Sequence, residues 1–219
     1  MKPQSLDVSI IIPSLRPKTL KKCIDRIYAT TYKIAYEIVI VSPFRDILKS
    51  IEGTDVYSKT VFVLENKKTG SNNATNLAIN YCQGKYIFTL ADDQLIQTDC
   101  ILNLYRFAEN NIKDGLLLVG PRYTSLWGQH WDETVFDVYY PCNPFMHRDL
   151  LKELNYLIFD TMYKNYYGDP DLALRVRDLG YKVIPCGTAW MENSNAFDEV
   201  EEIRREEDFD KVLEEELTK

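Results

Sequence analysis

The chain is short of the residues that most often announce a chemistry. It has only two histidines, His130 and His147, in 219 residues. Neither has a second His or Cys at ligand spacing, which excludes a histidine-built zinc site. The five cysteines, Cys23, Cys82, Cys100, Cys142 and Cys186, are odd in number, widely spaced and form no C-x-x-C pair. They read as small apolar residues in a reducing compartment, not as a disulfide framework. Long apolar runs are absent too: the amino-terminal one, Val8 to Ile12, stops at Pro13 and is too short for a signal peptide or an anchor. Positive charge is in deficit, with 26 Lys and Arg against 33 Asp and Glu and a net charge of -7. That balance disfavours nucleic acid or an anionic membrane surface as partner, so an anionic ligand has to be held locally, by a metal ion or by backbone amides. The stretch Pro13-Ser14-Leu15-Arg16-Pro17 has no glycine, which counts against a Gly-rich phosphate loop of the nucleotidyltransferase kind.

What remains is ordinary soluble composition, 45% hydrophobic and 27% charged, at a length that suits one compact domain. Strand and helix patterns alternate through the first half without repeats or low-complexity tracts, which predicts an α/β fold around a mostly parallel, Rossmann-like sheet flanked by helices. Predicted strands are Val8 to Ile12, Glu37 to Val41, Thr60 to Leu64, Tyr86 to Leu90 and Gly115 to Val119. Helices fit between them. The first runs from Lys18 to about Tyr28 with Leu20, Cys23, Ile24 and Ile27 at helical spacing; the third carries Ala74, Leu77, Ala78 and Tyr81, with Gly84 as its stop. Ligands of such sheets collect at the carboxyl ends of the strands, where Pro13-Ser14, Ser42-Pro43 and Asp92-Asp93 fall along one rim.

Asp92 and Asp93 follow an apolar run with no cation nearby in sequence, and are well placed to share a divalent metal with a phosphorylated ligand; a plain turn would also use them. A second acidic stretch, Gly168-Asp169-Pro170-Asp171, reads as a helix start, with Asp169 at the cap, Pro170 at the first helical position and Gly180 at the end. Capping would favour an ionised Asp169. Phe159, Tyr163, Tyr166 and Tyr167 precede it, and aromatic faces beside a carboxylate can hold a sugar ring, although such residues also simply build cores. Trp127, His130 and Trp131 mark an irregular stretch that reads as an acceptor-side wall or as a partner interface. Glu192 follows the last strand. The tail from Asp198 to Lys219 reads as a solvated helix packed on the domain or on a second subunit, which leaves a homodimer open.

These pieces, in this order, resemble a family 2 glycosyltransferase of the GT-A fold, whose members are inverting and use nucleotide sugars. Val8 to Ser14 resembles the first strand and its nucleoside-contacting turn, Glu37 to Ser42 the second strand, and Gly70 to Leu77 with Gln83 to Ile87 the approach to the metal motif. That motif falls on Ala91-Asp92-Asp93. Asn143-Pro144-Phe145-Met146-His147-Arg148 resembles the acceptor-side segment, and Gly168 to Leu172 the stretch with the catalytic base. The resemblance implies one GT-A domain over residues 1–219: a donor half at 1–95, an acceptor half at 96–190 and a helical tail at 191–219. It implies Asp169 as base, and Asp93 with Asp92 as ligands of Mg²⁺ or Mn²⁺, with Glu192 roughly where relatives place a third. Pro13, Ser14, Leu15, Arg16, Ser42, Lys67, Asn72, Asn76 and Asp92 would face the donor; Trp127, Trp131, His147, Tyr167 and Asp171 the acceptor side.

Four positions depart from the pattern: Ser42 replaces the aspartate that reads the nucleobase, Ala91 the first aspartate of D-x-D, Thr75 a donor-side arginine, and Gly168 the glutamate before the base. The implied activity is transfer of a sugar from a nucleoside-diphosphate sugar, a UDP-sugar foremost, to a hydroxyl of a glycan, lipid-linked or protein acceptor. The implied place is the cytoplasm, with peripheral contact at the inner membrane face allowed. A non-catalytic scaffold that still binds nucleotide sugar would explain Ser42, Ala91 and Gly168 together; a nucleotidyltransferase is the third reading.

Overall fold

Ile10, Ile11 and Ile12 alternate sides along the first strand, yet all three are 0% exposed, so that strand must be covered on both faces. It is, in the computed structural model, which describes residues 5–124 and 130–193. In chain order the elements are β1 (Val8–Pro13), α1 (Pro17–Thr30), β2 (Tyr36–Ser42), β3 (Thr60–Leu64), α2 (Ser71–Ala78), β4 (Tyr86–Thr89), β5 (Gln94–Ile96), α3 (Cys100–Asn111) and β6 (Leu117–Thr124). The short β7 (His130–Trp131), β8 (Thr134–Val135), β9 (Val138–Tyr139) and β10 (Phe145–His147) follow, then α4 (Arg148–Glu153), α5 (Gly168–Asp178) and β11 (Lys182–Asn193).

The main sheet has the order β3-β2-β1-β4-β10-β6-β11-β5, with β7 on β6. The first four strands are parallel, as their sequence pattern predicts. At β10 the direction reverses: it pairs antiparallel with both β4 and β6, so the second half is mixed. One face packs on α1 and α3 through Leu20, Ile24, Ile27, Ile101 and Leu104. The other packs on α2, α4 and α5 through Ala74, Ala78, Leu150, Leu151, Leu172 and Val176. Each of the large aliphatic side chains contributes about 2 kcal/mol of burial.

Several boundaries differ from the sequence reading. The first helix is longer at both ends, and the strand expected at Gly115–Val119 starts at Leu117 and runs on to Thr124. Between β2 and β3 there is no α-helix; 3-10 turns at Arg45–Ser50 and Tyr57–Lys59 fill the gap. Gly84 is not a helix stop, because α2 gives way to a 3-10 turn at Ile79–Tyr81. Its role is close approach: a Cβ there would lie 2.3 Å from the Ser9 nitrogen and 2.5 Å from the Val8 carbonyl carbon. The turn is pinned by buried polar groups, since Ser9 Oγ donates to Glu37 at 2.6 Å and accepts from the Gly84 amide at 2.7 Å. Arg148 closes it by donating to the Cys82 and Gly84 carbonyls at 2.8 Å. The tail expected beyond Asp198 lies outside the described residues.

Gly84→Ala should therefore cost about 2 kcal/mol or more, as backbone cannot yield to the added methyl. Gly187→Ala, where a Cβ meets nothing within 4 Å, should stay within about 0.5 kcal/mol of the parent. Urea melts of the two variants check the contrast.

Candidate active site

The chain winds β1, β2 and β3 outward to one edge and then crosses back to β4 on the other side of β1. This is a switch point of the sheet, where open α/β folds form their ligand crevice between diverging loops. Ser14 and Arg16 leave β1; Asp92 and Asp93 leave β4. Asp92 is only 2% exposed, a costly place for a carboxylate unless it is paired. The pairing is complete. Ser14 Oγ and the Arg16 Nη2 make short contacts with its two oxygens, and Arg16 Nε adds a bond of 3.1 Å to Oδ2. The guanidinium also reaches Asp93 Oδ2 at 3.4 Å. No cation lies near the two aspartates in sequence, and the one that meets them comes from 76 residues earlier in the chain, through the tertiary fold.

This pairing bears on the metal. Both Asp92 oxygens are engaged, while Asp93 is 24% exposed at its side chain and meets Arg16 through one oxygen. Among the described residues no group of three His, Cys, Asp or Glu side chains gathers at a point. Glu192 pairs across to Thr124 and Leu95, near the same rim, and completes no such group. The donor set is a single hard carboxylate, partly exposed and with one oxygen on Arg16. That fits a cation such as Mg²⁺ or Mn²⁺ that draws most of its coordination from phosphate and water, and does not fit an all-protein cage.

The second half of the rim is built by the reversed strand. Thr89 N–H donates to Pro144 O at 3.0 Å, which brings Asn143 and Cys142 beside the end of β4. The carboxyl end of β6 arrives alongside, and the buried Tyr123 hydroxyl bonds Asn143 Oδ1 at 3.1 Å. Asp169 enters from the start of α5, and its charge is felt by Tyr123, Tyr140 and Cys142. The two acidic centres thus share one rim of the sheet. Burial pushes the Asp169 carboxyl up from 3.8 to about 8, and it has no hydrogen-bond partner among the described residues. Burial likewise raises Tyr140 to about 12, with help from Cys142, Glu133 and Asp169, and raises the Cys142 thiol, with Asp169 adding to the effect.

The expected cap is corrected here. Tyr167, left-handed at φ 60°, holds the cap position of α5, and the helix starts at Gly168. Asp169 lies inside the first turn without a capping bond, so its anion is not stabilised in that way. Gly168 has a steric cause: a Cβ would come within 2.5 Å of Asn72 Nδ2 and 3.0 Å of Phe159. A glutamate cannot stand there while Asn72 holds the Tyr163 carbonyl at 3.2 Å.

Other expected site residues part company. Asn72 and Asn76 staple the 159–163 segment, Asn76 through bonds of 2.7 and 3.1 Å to Phe159 backbone, so their amides are spent inside the fold. Asp171 pairs with Arg175 at 2.7 Å, one helical turn on. His147 is carried to the opposite rim, because β10 runs antiparallel to β4 and sets it against Tyr86, the first residue of that strand. There its Nδ1 caps α4 by accepting from Asp149 N–H at 3.0 Å, and burial lowers its pKa. Ser42 is buried and accepts from Phe44 N–H at 3.1 Å; Pro13 and Leu15 line the crevice loop, Lys67 is exposed, and Tyr167 is 40% exposed near Tyr163. Trp131 pairs through its backbone with Tyr123, and Trp127 lies outside the described residues. Asn143 opens the segment read from sequence as acceptor-side, whereas Glu133, Tyr140 and Cys142 went unassigned in the sequence reading. No motif marks them, since each reaches the rim through a different strand or turn.

The sequence model described as Glycosyl transferase family 2 matches residues 9–167. Among solved structures, the mannosyltransferase PcManGT from Pyrobaculum calidifontis, in complex with GDP-Man and Mn²⁺, has a TM-score of 0.68 at 17% identity over 93% of this chain and 61% of that one. S. aureus TarS 1-349 in complex with UDP gives 0.64 at 13% identity, over 91% of this chain and 64% of that one. A further S. aureus TarS structure gives 0.63 at 14% identity, over 91% and 38%. This chain spans less than two thirds of each, and likeness at such identity shows the shared GT-A fold. No curated protein matches the chain.

A raised pKa makes Asp169 bind a proton that the unfolded chain has lost, so it weakens the fold as pH climbs from about 4, the unfolded value, to about 8. Asp169→Asn should hence melt at or above the parent temperature at pH 9, with the gap shrinking towards pH 4; thermal melts across that range check it. His147→Ala should cost about 1 kcal/mol through the lost α4 cap and leave ligand binding at the other rim unchanged, as calorimetry would show.

Proposed function

Because the chain belongs to glycosyl transferase family 2, we propose that it moves a sugar from a nucleoside-diphosphate sugar to a hydroxyl acceptor, inverting the anomeric carbon. The observation that carries this reading is Asp169, a carboxylate raised to about 8 by burial, on the same sheet rim as the Asp92-Asp93 pair. A base poised near the working pH is best matched to taking a proton from an attacking hydroxyl. In this role the acceptor O–H donates to an Asp169 oxygen, its oxygen attacks the anomeric carbon, and the diphosphate departs on the far side; one displacement inverts the centre. Tyr140, whose N–H donates to the Glu133 carbonyl at 3.0 Å, feels the charge of both Glu133 and Asp169 and would orient the acceptor. Ser14, Arg16 and Ser42 stand at the ends of the strands that would receive the nucleotide, which supports reading residues 1–95 as the donor half and 96–190 as the acceptor half.

A bound Mg²⁺ or Mn²⁺ would be held by Asp93 and would neutralise charge on the leaving diphosphate. Mn²⁺ with GDP-Man in PcManGT and UDP in TarS support a nucleotide-sugar donor of this kind. No helix among the described residues is long and apolar enough to cross a membrane, in keeping with an acceptor met from solution or at a membrane face.

Titration with UDP and GDP, each with and without Mn²⁺, tests the reading. We expect one of them to bind, more tightly with Mn²⁺, and Asp169→Asn to keep that binding while transfer falls about 10²- to 10⁴-fold. Binding of neither nucleotide would overturn the donor reading. Near-normal transfer by Asp169→Asn would remove it as the base. The parent rate should also rise with pH towards about 8, a limb absent from the variant.

A further inference from the structure

Arg16 occupies the charge position that a cation at Asp93 would need. Its guanidinium spans both carboxylates, bonding Asp92 through Nε at 3.1 Å and Asp93 through Nη1 at 3.4 Å. Two cations held that close to one carboxylate repel strongly. The backbone at Arg16 is fixed, since Pro17 opens α1 directly after it and its own N–H donates to Ser14 Oγ at 3.1 Å. The side chain is at the surface of the crevice, 15% exposed, whereas Asp92 beneath it is 3% exposed. A rotation of the Arg16 side chain alone can therefore turn the guanidinium outward, and Ser14 stays behind on Asp92.

We infer that Arg16 is an exchangeable counter-ion: it guards Asp93 in the free protein and turns onto the diphosphate of the donor when that ligand arrives. The inference rests on the donor-binding reading above. A diphosphate offers the planar guanidinium a bidentate partner at least as good as a carboxylate, with more charge. Transfer of Arg16 to the diphosphate uncovers Asp93 for the metal that the same diphosphate helps to hold. Metal and nucleotide then load together. The free protein binds the metal poorly, because Arg16 has to be displaced without a new partner.

Calorimetric titration of Mn²⁺ alone into the parent, Arg16→Gln and Arg16→Lys tests the exchange, followed by UDP or GDP in the presence of Mn²⁺. Removing a charged hydrogen-bonding group should let Arg16→Gln bind Mn²⁺ alone about tenfold more tightly than the parent, and bind the nucleotide with Mn²⁺ about tenfold more weakly. Arg16→Lys keeps a cation for Asp92 but lacks the fork that reaches Asp93, so it should fold like the parent and shift both affinities in the same directions by less. Circular dichroism melts establish that each variant is folded. An unchanged or weaker Mn²⁺ affinity in either folded variant would overturn the exchange. Tighter Mn²⁺ binding by the variants, in a parent that binds neither UDP nor GDP, would support release of Asp93 and overturn the donor reading instead.

Discussion

A carboxylate buried at the switch point of the sheet is the constraint on which the site depends. Asp92 is almost sealed from water, and an unpaired charge there would cost more than a small domain can offset. Ser14 and Arg16 meet that demand from the end of β1, so the loop leaving β1 and the loop leaving β4 are tied at the point where they separate. Groups that could act on a ligand lie around that tie: Asp93 beside it, Arg16 on it, and Cys142 and Asn143 brought next to it by the segment leading into β10.

The second carboxylate obeys the opposite rule. Among the described residues Asp169 has neither a cation nor a capping bond, and desolvation favours its protonated form. One aspartate is paired with a guanidinium, and the other is raised to about 8 by desolvation. Environments that push like groups apart in this way are the usual basis for dividing labour between an electrostatic group and a base. Gly168 is part of the same design, as it lets α5 start against Asn72, and Asn72 with Asn76 fixes the 159–163 segment from which α5 departs.

The parallel half of the fold is readable from residue order. Val8 to Ile12, Glu37 to Val41 and Tyr86 to Leu90 are short, apolar and bounded by turn residues, a pattern that suits strands covered on both faces. Asp92, Asp93, Ser14 and Arg16 are readable as a group because strand ends at one rim follow from parallel order. The second half is less legible. Phe145 to His147 is too short to carry a period, so its antiparallel insertion between β4 and β6 has no local signature, and with it goes the correct placing of His147. The glycines mislead for a similar reason: Gly84 resembles a helix stop and Gly168 a lost acid, and in both cases the deciding contact comes from a distant strand or helix.

The sequence by itself determined the alternating parallel core, the rim to which the acidic pair belongs, and the likeness to a glycosyltransferase, since these depend on local periodicity and on motifs within single segments. Only the tertiary structure decided which charges meet. That Arg16 neutralises Asp92, that Asp169 stands inside a helical turn without a partner, and that His147 faces the far side are consequences of strand direction and close packing. Burial and pairing set the charge state of a carboxylate, and both are properties of neighbours brought from elsewhere in the chain.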